Sequence, residues 1–146
     1  MSTATIARLL GGRSVLGRTV RTDDDLMASV RAGLPFLSLR HLFAEFSATD
    51  FALAEMYSLV GNLRTLQRKQ AARSRLTPTE SDRLARVARV VALAEDAIGD
   101  KARARRWLTE PTAALAGQRP VDLLDSDIGA EQVEGVLVRI EYGVYE

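Results

Sequence analysis

Leu76-Thr77-Pro78-Thr79-Glu80-Ser81-Asp82-Arg83-Leu84 opens the stretch that decides the fold of this 146-residue chain. The Thr77 hydroxyl can cap a helix, Pro78 suits its first position, and Glu80 completes a capping box. Leu84, Val87, Ala88, Val91, Ala94 and Ile98 then recur at helical spacing until Gly99 stops the run. The pattern predicts one helix from Thr77 to Ile98, with Asp82, Arg83, Arg86 and Arg89 on its outer face. About twenty helical residues span ~30 Å, enough to form a spine joining two halves of a chain.

Downstream, Asp100 caps a short helix with Ala104, Trp107 and Leu108 facing inward and Arg103, Arg105 and Arg106 facing out. Pro111 ends it. Gly117 and Pro120 break the following stretch into a turn and a helical piece, Val121 to Leu124. After Gly129 comes a last amphipathic helix with Val133, Val136, Leu137, Ile140 and Val144 on one stripe and Glu131, Glu134 and Glu141 exposed.

Upstream, residues 1–22 have no sustained periodicity and contain Gly11-Gly12 and Gly17, so they are expected to form a flexible N-terminal arm. Thr22-Asp23-Asp24-Asp25 starts a helix that Gly33-Leu34-Pro35 ends. Further helices are expected from Phe36 to Phe46 and from Phe51 to about Tyr57, followed by a break over residues 58–62. No segment alternates with a period of two, so the expectation is all-α. The expected division is an arm over 1–22, a helix-turn-helix-like domain over 23–75 and a C-terminal domain over 76–146.

The stretch Gly61-Asn62-Leu63-Arg64-Thr65-Leu66-Gln67-Arg68-Lys69 follows a helix and opens another, which is the layout of a helix-turn-helix. Asn62 and Gln67 have amides suited to adenine, Arg64 has a fork suited to guanine, and Arg68 and Lys69 suit phosphates. Thr65 lies on the same turn. Five cations and no acid fall between Gly61 and Arg75, a footprint for a polyanion that also fits a solvated helix face.

The formal net charge is +1, yet residues 1–110 carry 18 Lys/Arg against 12 Asp/Glu, and residues 111–146 carry 2 against 7. Opposite charge at the two ends points to two surfaces with different partners. The absence of cysteine excludes disulfides, thiolate nucleophiles and cysteine-based zinc sites, and fits a reducing cytoplasm. No apolar run approaches the ~20 residues of a membrane span. His41 is the single histidine and has no nominated catalytic partner. Asp122, Asp125 and Asp127 lack calcium-loop spacing, and helix capping accounts for them better. No catalytic residue, metal site or cofactor is expected, and an enzyme is the weak hypothesis.

With these residues in place, the chain resembles the Xre/MbcA/ParS family of bacterial antitoxins. The resemblance runs through Leu76-Thr77-Pro78, Glu80 to Leu84, Ala102, Trp107-Leu108, Pro111, Leu115, Gly117-Gln118-Arg119-Pro120, Asp122-Leu123-Leu124 and Gly129. It ends on Val133, Leu137 and Arg139-Ile140-Glu141-Tyr142-Gly143-Val144-Tyr145. A weaker likeness covers Leu10-Gly11-Gly12 and Gly33-Leu34-Pro35. The resemblance implies a two-part antitoxin. Its Xre-type N-terminal part binds promoter DNA as a homodimer and represses its own operon. Its C-terminal part covers the NAD⁺ site of a RES-domain toxin.

Within the matched block Trp107, Leu108, Val133, Val136, Leu137 and Ile140 suit a core. Arg139, Glu141, Tyr142, Gly143, Val144, Tyr145 and Glu146 remain as the toxin-facing candidates, with pairing of Arg139 to Asp122 or Asp125 as the alternative. In the helix-turn-helix the family's Leu-Gly-Val-Ser reads Leu59-Val60-Gly61-Asn62 here. Two other functions therefore stay open: a DNA-binding regulator whose C-terminal domain only dimerises, and an antitoxin that no longer binds DNA.

Overall fold

The computed structural model describes residues 2–143, and among these it contains α-helices, two single-turn 3-10 helices and no β-strand. In chain order the helices are α1 (Thr3–Leu9), α2 (Gly12–Leu16), α3 (Asp23–Ala32), α4 (Phe36–Ala44), α5 (Leu53–Val60), α6 (Leu63–Ala72), α7 (Pro78–Ile98), α8 (Lys101–Thr109) and α9 (Asp127–Glu141). The 3-10 turns, Ala113–Leu115 and Pro120–Leu123, lie between α8 and α9. The architecture is all-α, as the absence of period-two patterning implies.

α7 begins where its sequence dictates. The Thr77 hydroxyl accepts from the Glu80 amide at 3.1 Å, and the Glu80 carboxylate accepts from the Thr77 amide at 2.9 Å. Its burial is wider than one stripe. Leu84, Val87, Ala88, Val90, Val91, Ala92 and Ala94 are all fully buried. α7 packs against α1, α3 and α5 from the N-terminal half and against α8 and α9 from the C-terminal half. A helix apolar on more than one face must be covered on more than one face, and here both halves of the chain supply the cover.

The expected outer face of α7 is also engaged. Arg86 is nearly buried and donates to Asp127 at 2.7 Å and to the Leu124 carbonyl at 3.1 Å. Arg89 donates to Glu134 at 3.0 Å, and Arg83 to the Val60 carbonyl at 3.3 Å. Arg105, expected to face out from α8, is buried, paired with Glu45 and lying 2.6 Å from Glu95. Glu95 in turn meets Arg8 at 2.9 Å. A buried guanidinium needs such partners to offset its lost hydration.

The expectation of a flexible arm over 1–22 is corrected. α1 and α2 are helical, and Ile6, Leu9, Leu10, Leu16 and Val20 join the core. Their short apolar turns, split by Gly11 and Gly12, give too little periodicity to stand out in the sequence. The packing likewise shows no break at residue 75, because α7 belongs to both halves. α5 runs on to Val60 where a break over 58–62 was expected.

Gly33 ends α3 at φ 91°, and a Cβ there would lie 2.4 Å from the Leu76 carbonyl. This close approach lets the Leu76 amide donate to the Leu34 carbonyl at 2.9 Å, and the Leu34 amide to the Ser81 hydroxyl at 2.7 Å. Gly129 is inside α9, not before it, and Ser126 is the cap. A Cβ on Gly129 would fall 1.9 Å from the Leu123 carbonyl oxygen. Gly129→Ala is therefore expected to lower the unfolding free energy by roughly 2–3 kcal/mol in urea titration. An unchanged midpoint would contradict this close approach.

Candidate functional site: two surfaces on one helical frame

The first surface is the helix-turn-helix formed by α5 and α6. Met56, Tyr57 and Val60 of α5 and Leu66 of α6 are buried, which sets the angle between the helices. The Tyr57 hydroxyl donates to the Gln70 side chain at 3.0 Å across the same junction. Only Gly61 and Asn62 separate the helices, and Gly61 is extended, with φ −178°. Its backbone conformation therefore suits any residue. The exchange of valine and glycine relative to the family pattern leaves the turn intact.

The expected DNA-contacting residues divide into two groups. Arg64, Gln67 and Arg68 are exposed on α6 and lie within four residues of one another. Asn62 is committed locally, because its Oδ1 accepts from the Thr65 amide at 3.1 Å as the helix cap. Thr65 is half-buried and its hydroxyl accepts from Arg68 at 3.4 Å. Lys69 points back into the fold and donates to Glu80 at 2.7 Å. Its charge is thus spent on α7 instead of facing solvent. Arg40 of α4 lines one groove with His41, Arg73 and Arg75 beside the end of α6. Distance along the chain hides Arg40 from any reading of the α6 segment.

The second surface is α9 and its surroundings. Leu108, Val133, Val136 and Leu137 are buried as expected, while Trp107 and Ile140 pack at the edge of the core. Arg139 borders an open groove with Gln118, Gln132 and Gly135, and has no ion pair with Asp122 or Asp125. Asp122 instead pairs with Arg119 at 2.7 Å. Glu141, Tyr142 and Gly143 are exposed, Tyr142 at 76%. Val144, Tyr145 and Glu146 lie outside the described residues.

Two ion pairs tie these surfaces to the frame. Arg119, in the turn before α9, pairs with Glu55 of α5 as well as with Asp122. Glu55 also accepts from the Ala52 amide at 2.8 Å. This backbone bond, then the Arg119 bond, holds the Glu55 carboxyl below its ordinary range despite partial burial. For Glu80, burial acts to raise the pKa and is the largest single influence. The bonds from Lys69 and Thr77 together outweigh it, so the value is lowered from 4.5. Sequence reasoning assigns Glu80 only its capping role, since pairing with Lys69 requires the α6–α7 angle.

Sequence comparison finds a family model for each half of the chain. Residues 25–89 match the antitoxin Xre-like helix-turn-helix domain, and residues 93–143 match the antitoxin Xre/MbcA/ParS C-terminal toxin-binding domain. The chain belongs to the Xre/MbcA/ParS antitoxin family. It is 40% identical over 81 residues to an antitoxin Xre of Pseudomonas putida, a match covering 56% of this chain and 51% of that protein. With an antitoxin Xre of Yersinia enterocolitica it shares 39% identity over 83 residues, 56% of each chain. A protein named Prs ADP-ribosylating antitoxin, from Sphingobium sp., is 24% identical over 130 residues, covering 83% of this chain and 80% of that one. The chain thus spans about half the length of the two Xre relatives.

Among the described residues no cluster of His, Cys, Asp and Glu has metal-ligand geometry, and no helix is long and apolar enough to cross a membrane.

The Glu80 interactions carry a pH signature. A carboxyl whose folded pKa is depressed adds stability above its unfolded value and loses it as pH falls through the folded value. Glu80→Gln is therefore expected to lower Tm at pH 7, with the gap to the parent protein narrowing below about pH 4.5. A gap independent of pH across that window would contradict the assignment.

Proposed function

We propose that this protein is the antitoxin of a type II toxin–antitoxin pair and neutralises a RES-domain, NAD⁺-consuming toxin by covering its active site. The observation that carries the reading is the match of residues 93–143 to a toxin-binding domain. It is supported by the position of Tyr142, which is 76% exposed where α9 ends. In this reading Arg139, Glu141, Tyr142 and Gly143, continued by Val144, Tyr145 and Glu146, face the toxin. An aromatic and acidic tail suits a pocket shaped for an anionic dinucleotide, because stacking and carboxylate contacts substitute for those of the nucleotide. The antitoxin acts by occlusion and contributes no catalytic group.

The same chain, as a homodimer in the cytoplasm, represses its own operon through α6. Arg64, Gln67 and Arg68 reach the major groove, Asn62 sets the start of the helix, and Thr65 and Lys69 position their neighbours. A second reading, an antitoxin without DNA binding, is favoured by the commitment of Lys69 to Glu80, which removes one cation from the interface.

Expression of a RES-domain protein encoded beside this gene is expected to arrest growth, and co-expression of the full chain to restore it. Removing residues 140–146 abolishes the rescue. A harmless neighbour contradicts the toxin assignment; rescue by the truncated chain contradicts the tail mechanism alone.

In a gel-shift with the operon's promoter, Arg64→Ala with Arg68→Ala is expected to weaken retardation by roughly tenfold or more. Unchanged retardation would remove α6 as the recognition helix. No retardation of the parent chain would establish the second reading.

A further inference from the structure

Two cavities open side by side between α2, α3, α4 and the segment that follows α6. The larger, about 930 Å³, lies against Val15, Phe36 and Leu37, with Arg40, Gln70 and Arg73 around it. The smaller, about 320 Å³, is bounded by Arg18, Ser29, Ala32 and Gly33. Pro35 and Arg75 border both. Volumes of this size suit a small ligand. Arg75 is held at their junction, where its guanidinium donates to the Gly33 carbonyl at 2.8 Å.

The larger cavity is built for an anion. Arg40, Arg73 and Arg75 line it, and among the described residues no Asp or Glu lines either cavity. Gln70 offers its amide N–H groups, because its Oε1 already accepts from the Tyr57 hydroxyl at 3.0 Å. The first turn of α4, Pro35 to Leu37, forms part of the wall and has no side-chain cap, so the positive end of that helix adds to the attraction. Guanidinium forks facing one space match the oxygens of a phosphate. Beside them Val15 and the 58% exposed Leu37 leave an apolar strip.

The smaller cavity has a different chemistry. It adjoins the last turn of α3, the end of a helix where carbonyls are left over and a second anion is disfavoured. On its wall Ser29 is 6% exposed, and its hydroxyl has no hydrogen-bond partner. A buried hydroxyl without a partner costs stability and calls for an explanation. A ligand hydroxyl meets both conditions, since it can donate to a carbonyl and also bond to Ser29.

We propose that the paired cavities bind a small phosphorylated sugar, with the phosphate among Arg40, Arg73 and Arg75 and the sugar hydroxyls against Ser29. Promoter DNA fits this site less well. Ser29 lies in a recess too small to admit a strand, and Arg73 is ~13 Å along the helix axis from Arg64, where the proposed base contacts begin. The site is independent of the toxin partnership.

The test titrates the full-length chain with inorganic phosphate, ribose, ribose 5-phosphate and adenosine 5′-monophosphate, following backbone amide shifts by NMR. At least one of the two esters is expected to bind about tenfold more tightly than inorganic phosphate, and ribose not to saturate. Tighter binding of the adenosine ester assigns a nucleotide whose base covers Val15 and Leu37; otherwise the ligand is a free sugar phosphate. Ser29→Ala is expected to lower ester affinity about tenfold and leave phosphate affinity unchanged. Because it removes an unsatisfied hydroxyl, its Tm is expected to equal or exceed the parent's. Arg40→Gln with Arg73→Gln is expected to weaken phosphate and ester alike by about tenfold or more. Arg106→Gln, exposed on α8, changes neither. If neither ester binds more tightly than phosphate, or if Ser29→Ala leaves the preference intact, the proposal fails. If the esters do not bind and the double arginine variant weakens only promoter retardation, the groove is a DNA contact and the proposal is wrong.

Discussion

The two-sided burial of α7 is the constraint on which the structure depends. Seven of its apolar side chains are fully buried, and no single neighbour can cover such a helix. α1, α3 and α5 close one side, and α8 and α9 the other. A hydrophobic core shared in this way couples the halves, because removing either exposes apolar surface on the helix that remains. The buried Arg105 reinforces the arrangement. It joins α8 to Glu45 at the end of α4 and to Glu95 of α7, and Glu95 reaches Arg8 of α1. Buried ion pairs add less net stability than their Coulomb energy suggests. Their effect here is to fix which helices meet.

From that frame the two working surfaces obtain their positions. α6 is held to α7 through Lys69 and Glu80, and the helix-turn-helix turn is held by Arg83 on the Val60 carbonyl. α9 is held by Arg86 on Asp127 and Arg89 on Glu134. Arg119 then crosses from the C-terminal turn to Glu55 of α5. The bonds of Lys69, Arg83, Arg86 and Arg89 each take a cation of the basic portion out of service as a partner-binding group. The charge contrast between the ends of the sequence is accordingly not all available to ligands: part of it is internal wiring.

This explains what is legible in the sequence and what is not. Caps are local, so Thr22, Thr77 and Asp100 announce their helices, and helical spacing identifies the core of α9. The helix-turn-helix is legible because two helices and their turn lie in one short segment. Residues whose partners are distant are misread. Arg86 and Arg105 look like solvent-facing cations until Asp127, Glu45 and Glu95 are brought beside them. α1 is too short to display periodicity, and Leu9 and Leu10 acquire meaning only against α7. Gly129 reads as a break before a helix, whereas its role is to admit the Leu123 carbonyl to the first turn. The exposure of Ile128 is not legible because nothing in its local pattern says that the core of α9 is complete without it. The proposed tail contacts at Val144, Tyr145 and Glu146 rest on the family resemblance alone.

Inhibition of the toxin by occlusion is open to a direct test, titration of NAD⁺ consumption. Purified RES-domain protein from the adjacent gene is mixed with increasing amounts of the full-length chain, and NAD⁺ loss is followed. Turnover is expected to fall to background at a fixed molar ratio, and raised NAD⁺ to relieve the inhibition. Unaltered NAD⁺ consumption in the presence of excess antitoxin would contradict it.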